Sequence, residues 1–495
     1  MSILAPSGRP ARVELRRNTV RARYDAAFSG GPERTSAPKY SHPYRDITPS
    51  VRLKLLDGSC DLADNSPFFS GLIERLVTYV VGTGIWPQSD SGDSEWDKVV
   101  DEQFLSDVED CDVRGGVSWG TLQQQAYRTE IKQGDSGEIL TNDDTGNPKV
   151  LAVEGRDIGD RWGLATSKDL FDGVKIGPRG ERLGYVLTSE DPLGTRTTIP
   201  VSSEWFVHHF NPLRPGQLRG IPLLAAALNT GRDVHDILNL EKLAVKDASS
   251  KTDIIKTESG EFDPAEAYNA GGDTLDGSDD EDRANYYRKV FGPEARYIKR
   301  EDSWEAYKSD RPGPAWQGFM DFLSQTICLA ARIPPSVLLQ IKVGGADTRR
   351  DLAAAARVFE VEQLRLSGQW ARVRNFFIQR RIEDGTLKNP PPTWRKIAWQ
   401  FPKAITVDAG REAQQDREDV RGGFMSEQEY QGRWGANWRK HRDQVELETR
   451  DRIQRAKAVS DTEKVPFDVA LRMLGTPQDQ QPPAFQTQPT QRPTP

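Results

Sequence analysis

Residues 348–383 read TRRDLAAAARVFEVEQLRLSGQWARVRNFFIQRRIE, and this stretch decides the fold. Leu352, Ala356, Phe359, Gln363, Leu366, Trp370, Val373 and Phe377 recur at alternating steps of four and three, which places them on one side of an α-helix. With one polar member, Gln363, the seam predicts a continuously packed helix from Thr348 to Glu383, ~50 Å long at roughly 1.5 Å per residue.

The segments before it have the same helical character. Gly344-Gly345 lies in a loop, and Pro334-Pro335 ends a helix that carries Trp316, Phe319, Met320, Leu323, Ile327 and Ala330 on one stripe. Another helix is predicted from Pro222 to Ser249, about 28 residues or ~42 Å. Between these two helices, residues 258–282 hold ten acids and no Lys or Arg, the composition of a solvated loop.

Farther toward the N-terminus, short β-type runs alternate with turn formers between Glu138 and Trp205, which predicts an antiparallel sheet. Phe68, Leu72, Leu76 and Val80, flanked by Phe69, Ile73, Val77 and Val81, predict a helix capped by Asn65 or Ser66, with Pro67 in its first turn. It stops at Gly82-Thr83-Gly84, and an acidic stretch including Glu95, Asp97, Asp101 and Glu102 follows without an assigned element. Residues 1–50, rich in Arg, Ser, Gly and Pro, read as an extended arm, and the Gln/Pro/Thr-rich end from Thr476 as disordered.

At 495 residues the chain is long enough for about three packed units. Its 67 basic and 74 acidic residues give a net charge of −7, unsuited to coating nucleic acid indiscriminately. Cys60, Cys111 and Cys328 are too few and too scattered for a disulfide scaffold or zinc ribbon, and favour a reducing compartment. The most apolar run, Phe68 to Trp86, carries Glu74 and Arg75, so a soluble protein with no membrane partner is expected.

No catalytic constellation emerges. Gly116-Val117-Ser118-Trp119-Gly120 matches a hydrolase nucleophile motif, but the charged residues 108–114 before it do not form the buried strand such a motif requires. Ser118 reads better as a helix N-cap, with a serine hydrolase as the alternative. No GxxxxGK[ST] loop, HExxH pair or EF-hand spacing occurs, so neither an ATP motor, a metal nor a cofactor is expected. Positive charge is dense at Lys342, Arg349, Arg350 and along the long helix. In the glycine loop it suits sequence-blind contact with phosphates.

Taken together and in order, several short stretches carry a family likeness. They are Arg21-Ala22-Arg23-Tyr24-Asp25-Ala26-Ala27, Asn65-Ser66-Pro67 leading to Val80-Val81-Gly82-Thr83-Gly84-Ile85, Gly137-Glu138, Arg219-Gly220-Ile221-Pro222, Ile333-Pro334-Pro335-Ser336-Val337-Leu338-Leu339, Arg411-Glu412 and Gly422-Gly423-Phe424-Met425-Ser426. The chain resembles tailed-phage portal proteins of the lambda type. That resemblance implies an α+β portal fold with long stem and tunnel helices, a mixed α/β wing and a small α/β clip. The implied division is an arm over 1–50, a wing over 51–221, a stem helix over 222–257, a clip over 258–312 and a second stem helix over 313–334. A tunnel loop over 335–350, the long helix and wing return over 351–404, a crown-like helical region over 405–475 and a tail over 476–495 complete it.

The resemblance also implies a non-enzymatic homo-oligomeric ring, of twelve copies in the typical case, at a capsid vertex of the virion and assembled in the host cytoplasm. Double-stranded DNA would pass through it without sequence readout, touched by Lys342, Gly344, Gly345, Arg349 and Arg350 of the tunnel loop. Terminase and the head–tail connector or adaptor would dock on the clip through Asp276, Asp279, Asp280, Glu281 and Asp282. Major capsid and scaffolding proteins complete the implied partners.

Overall fold

The computed structural model describes residues 42–159, 169–190, 193–249, 314–339, 345–403, 409–433 and 438–474. The chain divides into residues 1–48 and 49–495, and of the first unit the described residues hold a single helical turn, α1 (Pro43–Asp46). Pro49 is not the end of an arm. It opens α2 (Pro49–Asn65), a helix with no apolar seam to announce it, because its buried face mixes Leu56, Leu62 and Ala63 with Arg52, Gly58 and Ser59.

Ser66 takes the extended N-cap conformation before α3 (Pro67–Val80), though its side chain makes no cap hydrogen bond. Phe69, Leu72, Ile73, Leu76, Val77 and Val80 are all buried, so both rows of the expected wide apolar face are used. After β1 (Trp86–Ser89), the acidic stretch proves helical as α4 (Ser94–Asp107). The Asp93 carboxylate accepts from the Glu95 and Trp96 N–H groups, and Glu95 and Asp97 suit the positive end of the helix.

α5 (Trp119–Gln133) leads into β2 (Asp135–Asn142) and β3 (Pro148–Glu154). The turn between these strands is held by Asp143, which accepts from Thr145 and Asn147 N–H at 2.9 and 2.8 Å. β4 (Leu170–Phe171), β5 (Val174–Ile176), β6 (Arg182–Glu190), β7 (Arg196–Ser202) and β8 (Phe206–Phe210) follow. Two antiparallel sheets result, in the orders β3-β2-β8 and β4-β5-β6-β7. In the first, Ser136 faces His209 and Gly137 faces His208 across the ladder.

The expected helix from Pro222 begins later, as α6 (Leu228–Ser249) after a short 3-10 turn at Ala225–Ala227. α7 (Pro314–Ala330), α8 (Pro335–Leu339) and α9 (Gly345–Glu383) carry the chain back, and β9 (Ile397–Gln400) pairs with β1. α10 (Ala409–Gly422), α11 (Glu427–Arg433), α12 (Trp438–Glu463) and α13 (Phe467–Met473) end the described chain. Apart from the β1–β9 pair, helices and antiparallel sheets occupy separate stretches of sequence, the α+β class expected.

The core is tied by aromatic contacts among α4, α5 and α9. Trp119 meets Trp370 at 5.0 Å and Phe104 at 5.2 Å, and Phe104 meets Phe377 at 6.1 Å. The predicted seam of α9 is buried at Phe359, Leu366, Trp370, Val373 and Phe377, but its N-terminal third differs: Ala355 is buried and Ala356 exposed. A strict four–three spacing slips about 20° per seven residues against a straight helix, so over this length the buried line moves to the neighbouring position.

Candidate nucleic-acid interface

α6 and α7 pack on each other and on the core through one side only. Val234 and Leu238 of α6, with Met320, Leu323 and Ile327 of α7, belong to the hydrophobic cluster. The opposite sides keep large apolar chains in solvent: Leu240 and Leu243 on α6, and Phe319, Phe322 and Leu329 on α7. Phe319 is therefore not on the buried stripe. It joins Phe322, 64% exposed, and Leu329, 72% exposed, in a second line down α7 at steps of three and seven.

The basic residues next to these helices are placed differently from expectation. α9 begins at Gly345, three residues before the expected Thr348, so Arg349 and Arg350 stand on the helix and the implied loop bound at 350 falls within it. Asp347 in the first turn suits the positive helix end, which helps the earlier start. Both arginines are exposed. Arg350, with 76% of its side chain in solvent, lies 3.4 Å from Asp347 and 3.8 Å from Asp351, pairs too exposed to hold much energy. Asp351 itself accepts from the Ser336 hydroxyl at 2.6 Å, which links the start of α9 to α8, whose Val337 and Leu338 are buried. Lys342 and Gly344 lie outside the described residues, as do Asp276, Asp279, Asp280, Glu281 and Asp282.

Two buried ionic networks lie against the His208-His209 pair of β8. Asp135 accepts from Arg219 Nε at 3.1 Å, from the Gly220 N–H at 2.6 Å and from His208 Nε2 at 2.9 Å. Arg219 also donates to the carbonyls of Gly155, Ile158 and Asp172, and Arg52 forms a two-pronged pair with Asp172 at 2.6 and 3.0 Å. On the other network His209 bonds Glu138 and donates from Nδ1 to Gln369 at 3.0 Å. Arg365 of α9 bridges Glu130 at 2.7 Å and Glu362 at 2.8 Å.

The two histidines titrate in opposite directions. Burial pushes the His208 pKa down to about 4, the hydrogen bond to Asp135 notwithstanding. For His209 burial also disfavours charge, yet Glu138 and the hydrogen bond to Gln369 outweigh it and raise the pKa. Burial would likewise raise the Asp135 carboxyl, but Arg219 and His208 hold it well below the usual carboxylate range.

These networks give the quoted motif residues a physical role that sequence reading missed. Arg219 and Gly220 close on Asp135 and Gly134, and a Cβ on Gly220 would sit 1.8 Å from the Gly134 carbonyl oxygen. Only pairing across the fold reveals Asp135, since its sequence neighbourhood is an ordinary helix end.

Ser118 occupies the N-cap of α5, and its hydroxyl meets Thr121 Oγ1 at 3.1 Å. The last glycine of its motif, Gly120, is there for packing: a Cβ would stand 2.3 Å from the Thr83 carbonyl oxygen. Among the described residues no group of His, Cys, Asp and Glu is arranged to hold a metal, and no helix is long and apolar enough to cross a membrane.

The sequence profile described as "Phage portal protein, lambda family" matches residues 32–340. No curated protein matches the chain. Among solved structures, a chain from "Neck of empty GTA particle computed with C6 symmetry" is 14% identical with a TM-score of 0.48, covering 78% of this chain and 93% of its own. Chains from "Neck of native GTA particle computed with C12 symmetry" (13%, TM-score 0.45) and "Virion of native gene transfer agent (GTA) particle" (14%, TM-score 0.44) have the same coverage.

Proposed function

Because the chain belongs to the lambda family of phage portal proteins, we propose that it works as one sector of a closed ring, twelve copies in the expected case, at a vertex of the virion capsid. Its role is structural, not enzymatic. In this reading double-stranded DNA passes through the ring during packaging and ejection. Residues 222–257 and 313–334 form the stem, 258–312 the clip that meets terminase and the head–tail connector, and 335–350 the tunnel loop. Capsid and scaffolding proteins would surround the wing, with assembly in the host cytoplasm.

The observation that carries the ring is the apolar side of α6 and α7 that is exposed among the described residues. Burying an exposed Phe or Leu is worth roughly 1.5–3 kcal/mol, and a line of them on a long helix pair is a surface for another copy. A passage for DNA should touch phosphates without gripping them, because each neutralised phosphate adds salt-dependent affinity that opposes movement. A chain of net charge −7 with a few exposed arginines fits that demand.

Negative-stain imaging and native mass measurement of the full-length protein test this reading. Rings in wild type that dissolve on Phe322→Asp with Leu329→Asp are expected. A stable monomer under every assembly condition would overturn it.

A further inference from the structure

A cleft of about 630 Å³ opens where the start of β6, the 211–220 loop and the middle of α9 meet. Arg182 of β6, Arg214 of the loop and Arg372 of α9 line it, with Tyr185 and one acid, Glu181. Several arginines drawn out of solvent meet a carboxylate (Arg52 with Asp172, Arg219 with Asp135, Arg365 with Glu130, Arg381 with Asp107), whereas buried Arg374 bonds the neutral Ser89 hydroxyl, Asn375 side chain and Trp394 carbonyl.

Half-buried Arg182 and exposed Arg372 also meet no carboxylate among the described residues. Among the described residues their hydrogen bonds go to backbone carbonyls alone. Arg182 Nη2 donates to Gln217 at 3.0 Å, and Arg372 Nη2 donates to Ser203 at 2.7 Å and Glu204 at 3.4 Å. The Arg182 guanidinium lies 4.7 Å from the centre of the Phe210 ring, and its Nε–H is buried with no acceptor. An unmet buried donor is costly, and an acceptor from outside the chain, a water or an anion, is one way to satisfy it. Both cations converge on Tyr185, where burial raises the hydroxyl's pKa and the two guanidiniums oppose that rise. The Glu181 carboxylate is engaged by the Arg179 backbone N–H at 2.7 Å.

We propose that this cleft binds a phosphate oxyanion, held by the guanidinium groups of Arg182 and Arg372. Guanidinium forks match phosphate oxygens in shape and bind them through charge-assisted hydrogen bonds that read no base. Two guanidiniums bonded only to backbone carbonyls among the described residues, beside one engaged acid, favour a multiply charged anion over a single carboxylate. The cleft volume has room for a phosphodiester segment or a free diphosphate. The site is built within one chain, so it stands or falls independently of the ring.

The test uses the full-length protein with two probes, pyrophosphate by calorimetry and a short DNA duplex by fluorescence anisotropy at low and high salt. Arg372 is exposed on α9, so Arg372→Glu should leave thermal unfolding unchanged while weakening binding about tenfold or more, and Arg372→Gln should lower the duplex salt slope by about one. Arg182→Gln should weaken binding as well; should it fail to fold, the Arg372 variants decide alone. Loss with pyrophosphate alone supports the site with a free phosphate compound as its ligand. Loss with duplex alone supports it with the nucleic-acid backbone as its ligand, and loss with both supports either source. Equal binding by wild type and Arg372→Glu in both arms, or no binding of either probe by wild type, overturns the proposal.

Discussion

The β2–β8 region and the α6–α7 pair solve the same problem in opposite ways. Around β8, charged groups are withdrawn from water and satisfied from within the chain: Asp135 by Arg219, Gly220 and His208, and Arg365 by Glu130 and Glu362. Along α6 and α7, apolar groups at Leu240, Phe322 and Leu329 stay exposed among the described residues. A buried ionic network is complete only when every member is present, so it specifies one arrangement of strands and loops. An exposed apolar face is incomplete by itself and draws its free energy from association. The first region makes the subunit; in the proposed reading the second makes the subunit need others.

Removing a member of the buried network should give the largest effect on the single chain. Asp135→Ala strands Arg219 and His208, and unfolding by urea should show a loss of about 3–5 kcal/mol or no folded protein at all. A folded variant with nearly unchanged stability would erase the contrast between the regions.

Acid should act on the same network through His208. Its proton binds at pH about 4 in the fold, against about 6.5 in a free histidine, so the unfolded chain takes it up first as pH falls. The contribution is therefore intact above pH ~6.5 and lost progressively toward pH ~4, on the order of 3 kcal/mol. Thermal unfolding across that range should drop more steeply for wild type than for His208→Gln, and parallel curves would assign the acid sensitivity elsewhere. His209, raised by Glu138, has the opposite sign: its contribution is present at low pH and lost as pH rises through its folded value.

Phe322→Asp should leave unfolding of the isolated chain within about 0.5 kcal/mol of wild type while assembly disappears. A large loss of monomer stability would mean that this face is covered within the chain after all. The smallest stability effect belongs to Arg350→Gln, below about 0.5 kcal/mol, because its pairs are exposed. Neutralising Lys342, Arg349 and Arg350 together should impair DNA packaging with rings intact, and normal packaging would remove DNA contact from this end of α9.

Much of the helical frame was legible in the sequence because it is written in apolar periodicity. α3, α7 and the central part of α9 lie where their seams place them. α2 and α4 were not legible, and for a shared reason. α2 buries Arg52, Gly58 and Ser59, and α4 buries Asp97 beside Trp96, Val100 and Phe104. Polar residues on an inward face look like solvent-facing residues until their partners are known. Arg52 is inward because Asp172 waits 120 positions away. Arg349 and Arg350 lie within the helix expected from Thr348, but its start at Gly345 was not legible, since the glycine pair reads as a loop.

The amino-acid order alone determined the class of fold, the family and the segments that must be helices, because these follow from local spacing and short motifs. Which buried charges meet, why Gly220 and Gly120 tolerate no side chain, and which side of α7 is left exposed among the described residues were decided only by the folded chain. Each depends on atoms brought together from distant positions, and spacing along a sequence holds no record of such distances.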